Sequence, residues 1–254
     1  SKNSDIKISA IPDLSSLVIE ATKAKEEGLY QKAAEIWARI LQLAEQELGL
    51  EHPDTAISLN NLAFLYYKQG YYSKAEPLYL RALALNEKVL GPNHTETSTN
   101  LNNLAELYRR QYLYSKAEPL YLRALAIREK ALGPEHSLTG YSLNNLALLY
   151  SEQGLSSKAE SFHLRALAVF EKKLGIEHRV TTVAMINLSG IYQHQGLYSK
   201  AENLLSRALA INEELLDLEH PLIARSLDNL ASLYYEQGLY SKVEPLYLRA
   251  LGID

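Results

Sequence analysis

The chain has 254 residues, 22% of them charged, with 26 basic against 30 acidic side chains and no cysteine. A net charge of −4 lacks the basic excess of a general binder of nucleic acid or anionic membrane. Without cysteine there are no disulfide staples or cysteine-based zinc sites, and no stretch approaches the roughly 20 apolar residues of a membrane span, so the reading is a cytoplasmic protein.

Residues 1–12 are polar and close on Pro12, which reads as an N-terminal tail. From there a unit of 42 residues recurs. Leu59–His94 returns as Leu101–His136 and Leu143–His178, then in a looser copy from Met185 to His220 and a partial one from Leu227. Residues 13–254 are therefore expected to form a single body of repeats at about 13–51, 52–93, 94–135, 136–177, 178–219 and 220–254. The first is degenerate, with Glu20 where later copies carry Leu62 and Leu104, and Trp37 where they carry Tyr79 and Tyr121. The last stops at Asp254 inside a copy, and the chain starts without Met; both read as the marks of an excised fragment.

Each full unit predicts two helices. Leu59, Leu62, Ala63 and Tyr66 follow the spacing of one buried helical face, and Gly70 closes that helix. Ser73-Lys74-Ala75-Glu76 reads as a capping box opening the second helix, with Pro77 in its first turn, and Gly91-Pro92 stops it. Tyr112 stands where the other copies have glycine, so that turn is expected to be built differently. No strand signal competes. The fold class is all-α: a right-handed α-solenoid of six stacked helix-turn-helix repeats, twelve helices.

Leu62, Ala63, Tyr66, Gly70, Ala75, Tyr79 and Ala82 sit at the spacing of the tetratricopeptide repeat, whose usual unit is about 34 residues. The longer unit, with its LNNLA, AEPLY, RAL and LGPEH elements, resembles the repeats of kinesin light chains and their bacterial relatives over about residues 30–254. The resemblance implies a non-catalytic protein-binding scaffold whose first helices line a concave groove, with asparagines of the LNNLA element touching a bound peptide.

Rotation of about 100° per residue places Asn61, Phe64 and Lys68 opposite the core stripe of the first helix. Copies compared within the chain separate two behaviours. Asn61, Asn103, Asn145, Asn187 and Asn229 do not change, whereas Phe64 gives way to Glu106 and then Leu148, Tyr67 to Arg109, and Lys68 to Arg110 and Glu152. An amide carries donors and an acceptor, so a row of them suits any peptide backbone while the variable neighbours select. The same row also suits a ladder that fixes repeat packing; both readings stand. Asn60, Asn102 and Asn144 form a shorter row expected to face ligand or solvent. Lys68, Arg109 and Arg110 gather in repeats two and three, beside Glu106, and predict an acidic ligand segment there.

His52, His94, His136, His178 and His220 recur once per repeat, about 10 Å apart, too far to share a metal, and are expected to take a loop or capping role at the start of each first helix. His163 reads as a packed histidine in a tyrosine position. Arg39, Arg81, Arg123, Arg165, Arg207 and Arg249 recur once per unit and read as inter-repeat ion pairs. No nucleophile arrangement, phosphate loop or metal cluster appears, so neither enzyme activity nor a cofactor is expected. The predicted function is a scaffold holding an extended segment of a partner protein. The alternatives are a regulatory arm of a larger protein and self-assembly through the helix pair at 222–254.

Overall fold

The computed structural model describes residues 12–217 and 220–252. The expected tail at 1–12, apart from Pro12, lies outside the described residues, as do Leu218, Glu219, Ile253 and Asp254. Among the described residues there are twelve helices and no strand. They run α1 Pro12–Glu26, α2 Tyr30–Glu47, α3 Pro53–Lys68, α4 Tyr72–Val89, α5 Thr95–Arg110 and α6 Tyr114–Leu132. The series continues with α7 Ser137–Glu152, α8 Ser156–Leu174, α9 Arg179–His194, α10 Tyr198–Leu215, α11 Pro221–Glu236 and α12 Tyr240–Leu251. Within each of two units, hairpin partners pack on one another and neighbouring hairpins pack together, so the chain is an all-α series of helix pairs. It divides into two compact units, one ending at Ala131 and one beginning at Leu132.

In the N-terminal unit, Leu14 and Ala21 of α1, Trp37 and Ile40 of α2, Leu59 and Leu62 of α3 and Ala82 of α4 close into one buried cluster. Trp37 is buried in the place that Tyr79 and Tyr121 hold in later repeats. Leu101 of α5 packs with Ala124 and Ile127 of α6. In the C-terminal unit, Ile223 and Leu227 of α11 pack with Ala250 of α12. Phe170 of α8 lies against Gly140 of α7, where an added Cβ would come within 2.7 Å of the ring.

The histidines cap the first helices, as expected. Nδ1 of His52, His94, His136, His178 and His220 each accepts the backbone N–H two residues on, at 3.1–3.2 Å. A partner not anticipated from sequence is the threonine three residues after the histidine. The hydroxyls of Thr55, Thr97, Thr139 and Thr181 donate to the carbonyl of the glycine that ends the preceding helix, at 2.7–2.8 Å.

The capping box is not formed. Helix α4 begins at Tyr72 after Tyr71 at φ −82 and ψ 62, with no side-chain cap, and Pro77 lies inside the helix rather than in its first turn. Backbone carbonyls of the turn take the leading amides: Lys74 N–H and Ala75 N–H both donate to the Tyr71 carbonyl, at 3.0 and 3.1 Å. Freed from capping, the box glutamates reach the next repeat and the box lysines lie over tyrosines of their own hairpin. Glu76 accepts the Tyr108 hydroxyl at 2.7 Å and Glu202 accepts that of Tyr234 at 2.6 Å. The ammonium groups of Lys74, Lys116, Lys158, Lys200 and Lys242 lie 4.5–5.5 Å from the ring centres of Tyr66, Tyr108, Tyr150, Tyr192 and Tyr234. Burial and then the Glu76 carboxylate push the Tyr108 hydroxyl up to about 12. Arginines close the other side of the seam, with Arg81 on Glu45 and Arg123 on Glu87 at 2.6 Å and Arg249 on Glu213.

The Tyr112 turn was expected to differ and does not. Tyr112 adopts φ +60, and its N–H and that of Leu113 bond the Arg109 and Tyr108 carbonyls at 2.9 Å. Gly70, at φ +79, and Tyr71 make the same pair of bonds. The turn's hydrogen bonds hold a tyrosine in the left-handed region that glycine occupies freely.

Candidate binding face

The first helices of neighbouring hairpins touch along α3–α5 and along α9–α11. Residues meet across these seams at constant offsets. Tyr67 donates to Glu106 Oε1 at 2.9 Å and accepts from Arg110 Nε at 3.1 Å, partners 39 and 43 residues on. Gln193 donates to Ser232 Oγ at 3.3 Å and to Glu236 Oε1 at 2.7 Å, again 39 and 43 residues on. The positions at Phe64, Tyr67 and Lys68 that change between repeats are thus joint positions as well as surface positions.

Glu106 is the centre of the α3–α5 joint. Its two oxygens accept from Arg109 Nε at 2.8 Å and Nη2 at 2.7 Å, and also from Tyr121 at 2.7 Å, Tyr67 at 2.9 Å and Arg110 Nε at 3.1 Å. Burial alone would raise the Glu106 carboxyl. The bonded Arg109 guanidinium, helped by the two tyrosine hydroxyls, more than offsets this and holds the carboxyl below its usual range. Burial followed by the Glu106 charge pushes Tyr67 up to about 12 and Tyr121 higher still. Arg109, expected to face a ligand, is 5% exposed and committed to this knot. The expected cluster of Lys68, Arg109 and Arg110 therefore presents only Lys68 and Arg110, both exposed.

The asparagine rows divide differently from expectation. Asn60 accepts from Asn103 Nδ2 at 3.0 Å and from Asn100 Nδ2 at 3.2 Å, and Asn86 in turn donates to Asn100. Asn60, expected to face ligand or solvent, ties two repeats together, and Asn103 belongs to the same chain of amides. Asn61 donates to its own helix at Ile57, at 3.0 Å, and Asn187 accepts from Arg225 at 2.9 Å. Asn102, Asn144, Asn145 and Asn229 are half-buried on the same face. The Asn144 carboxamide oxygen is buried with no hydrogen-bond partner.

Phe64 is half-buried, its ring 6.2 Å from that of Tyr67, with Lys25 at 5.5 Å and Lys68 at 6.0 Å from its centre. Lys25 comes from α1, in the degenerate repeat whose side chains the 42-residue comparison could not align by kind. Its appearance beside Phe64 had no signal in the sequence. Among the described residues no group of three or more His, Cys, Asp or Glu could hold a metal ion, and no helix is long and apolar enough to cross a membrane.

These features define a helical-hairpin repeat protein whose first-helix faces are knit by polar side chains. The tetratricopeptide repeat model matches residues 24–88, 58–130, 96–172 and 180–254. The chain belongs to the tetratricopeptide repeat family, which supports a protein–protein interaction scaffold. Its fold is similar to that of BtubC (BKLC) from P. vanneervenii, at 25% identity and a TM-score of 0.72 over 89% of this chain and 88% of that one. It is also similar to a putative kinesin light chain of Podosopora anserina with nearly identical TPR-like repeats, at 28% identity and a TM-score of 0.70 over 80% and 96% of the two chains. A Rap protein complexed with Competence and Sporulation Factor shares the fold at 16% identity, with a TM-score of 0.67 over 92% of this chain and 72% of that one. Comparison with curated protein sequences found no match.

Proposed function

We propose that the chain is a cytoplasmic protein-binding scaffold whose first-helix faces each hold an extended segment of a partner. One observation carries the reading. Lys68, Arg110, Glu152, His194 and Glu236 occupy one position in five successive repeats, all are exposed, and their chemistry changes from repeat to repeat. Beside them runs the half-buried row Asn61, Asn103, Asn145, Asn187 and Asn229. An unchanging amide row next to a changing exposed row suits a backbone held in common and side chains read individually.

In the N-terminal unit the exposed Lys68 and Arg110 favour an acidic segment, since Arg109 and Arg110 share the one carboxylate of Glu106 and the group keeps an excess of positive charge. The test uses fluorescein-labelled twelve-residue peptides of alternating Ser-Glu and of alternating Ser-Lys, with affinity read by anisotropy at 50 mM salt. Lys68→Glu/Arg110→Glu should weaken the Ser-Glu peptide by about tenfold or more and leave the Ser-Lys peptide unweakened. Equal affinity of wild type and variant for the Ser-Glu peptide would overturn the acidic reading.

A further inference from the structure

Away from the first-helix face, a repeating ion pair lacks one of its partners. Lys88, near the end of α4, pairs with Glu51 in the loop before α3. Lys172, near the end of α8, pairs with Glu135 in the loop before α7 at 2.6 Å. Midway between the two pairs in the repeat, Lys130 of α6 takes the lysine position and Asn93, in the loop before α5, takes the position of the acid. A carboxamide thus stands where the other two repeats have a carboxylate. Lys130 and Asn93 are both exposed, and among the described residues neither side chain has a hydrogen-bond or ion-pair partner. The neighbouring cation is committed: Arg123 is held by Glu87 at 2.6 Å and by the Pro92 carbonyl at 3.1 Å. These residues frame a cavity. Asn93, Arg123, Ala126, Ile127, Lys130 and Ala131 line a space of about 360 Å³, within the size range of small-molecule sites. Its wall is mostly the apolar carbon of Ala126, Ile127 and Ala131, all on α6.

We propose that this cavity binds a small organic carboxylate with an apolar body, its carboxylate on Lys130 and its hydrocarbon against Ala126, Ile127 and Ala131. The proposal is independent of the first-helix face. The occupant follows from the two complete pairs. Glu51 and Glu135 show that the geometry of this loop brings a carboxylate to the lysine, and a ligand carboxylate takes the place that Asn93 leaves open. The Asn93 carboxamide, which a glutamate could not imitate, offers N–H donors to the second carboxylate oxygen. A single ammonium matches a single negative charge. A phosphate would need further cations, and Arg123 is already neutralised by Glu87. The apolar wall selects for a ligand with hydrocarbon to bury, since an exposed charge pair by itself adds little affinity.

The test is a titration with hexanoate at neutral pH, followed by NMR at the Asn93 side-chain amide and the Ile127 methyl groups, with hexanamide and acetate as controls. Hexanoate should shift both signals saturably. Hexanamide, which has the hydrocarbon without the charge, should bind about fivefold more weakly. Acetate, which has the charge without the hydrocarbon, should bind about tenfold more weakly or less. Asn93→Glu restores the ion pair of the other two repeats, keeps the fold, and should weaken hexanoate by about fivefold or more; Lys130→Gln should do the same. Equal binding of hexanoate and hexanamide overturns the proposal, as does wild-type hexanoate affinity in Asn93→Glu. Unmoved Asn93 and Ile127 signals at about 50 mM hexanoate overturn it as well.

Discussion

The α3–α5 seam of the N-terminal unit and the α9–α11 seam of the C-terminal unit use the same two offsets and fill them with different chemistry. In the first, Tyr67 meets Glu106 and Arg110, and a carboxylate with a buried arginine lies at the centre. In the second, Gln193 meets Ser232 and Glu236 through neutral or exposed bonds. The helix-pair geometry decides which positions touch. The residues placed there decide whether the joint is stiff and charged or loose and easily altered.

Breaking the charged joint should cost most. Glu106→Gln keeps the size of the side chain but takes the carboxylate away from Arg109, Tyr121 and Tyr67 at once. A loss of about 3 kcal/mol of unfolding free energy is expected in urea titrations, the scale for removing one partner of a buried ion pair. Gln193→Ala on the other seam should cost no more than about 0.5 kcal/mol. Similar costs for the two would mean that the Glu106 knot is as dispensable as the Gln193 bridge.

Acid should separate the units in the opposite order. His163 of α8 stands in the row of Tyr79 and Tyr121, is 1% exposed, has no hydrogen-bond partner at Nδ1, and is pushed down by burial to about 4. Its neutral form is the folded form, so the unfolded chain takes up a proton as pH falls below about 6.5 while the folded chain does not. Stability is then lost between about 6.5 and 4, by up to about 3 kcal/mol. Glu106 is also shifted down, which for a carboxyl favours the charged form, so its contribution persists until pH falls below the ordinary carboxylate range of about 4.3 and only then declines. At pH 5 the C-terminal unit should therefore lose hydrogen-exchange protection before the N-terminal unit does. His163→Leu, which copies Leu205 of the next repeat, should remove the dependence between pH 6.5 and 5. An unchanged pH profile in that variant would contradict the assignment.

The comparison also shows why some of this was readable from sequence and some was not. The core row at Leu59, Leu62 and Ala63, the glycine stops and the histidines at the first-helix starts are properties of one helix or one turn, and a 42-residue period displays them directly. Ser73 and Glu76 have capping-box spacing whether Glu76 reaches back to its own helix or across to Tyr108. Only the stacking of the next hairpin decides between the two. Asn60 and Arg109 were read as ligand-facing because their positions change between copies, and such change is silent about what packs there. Glu106 and Arg109 do stand three residues apart, the spacing of a helical ion pair. That signal was present, and the reading of the arginines as a ligand-facing cluster set it aside.

The mid-helix glycines of the C-terminal unit give the finest contrast, because chemically identical substitutions should act with opposite sign. A Cβ on Gly140 would lie 2.7 Å from Phe170 Cε1 and 3.0 Å from Val169 Cγ1. The Phe170 ring is held in turn by Tyr141, 5.2 Å away between ring centres. With both contacts in a packed layer, Gly140→Ala should cost about 2 kcal/mol through overpacking. A Cβ on Gly190 would meet nothing within 4 Å, and α9 keeps its helical course there. Gly190→Ala should therefore add about 1 kcal/mol, the helix-propensity difference alone, and slow hydrogen exchange along α9. A raised stability without slower exchange in α9 would contradict a gain that arises in that helix.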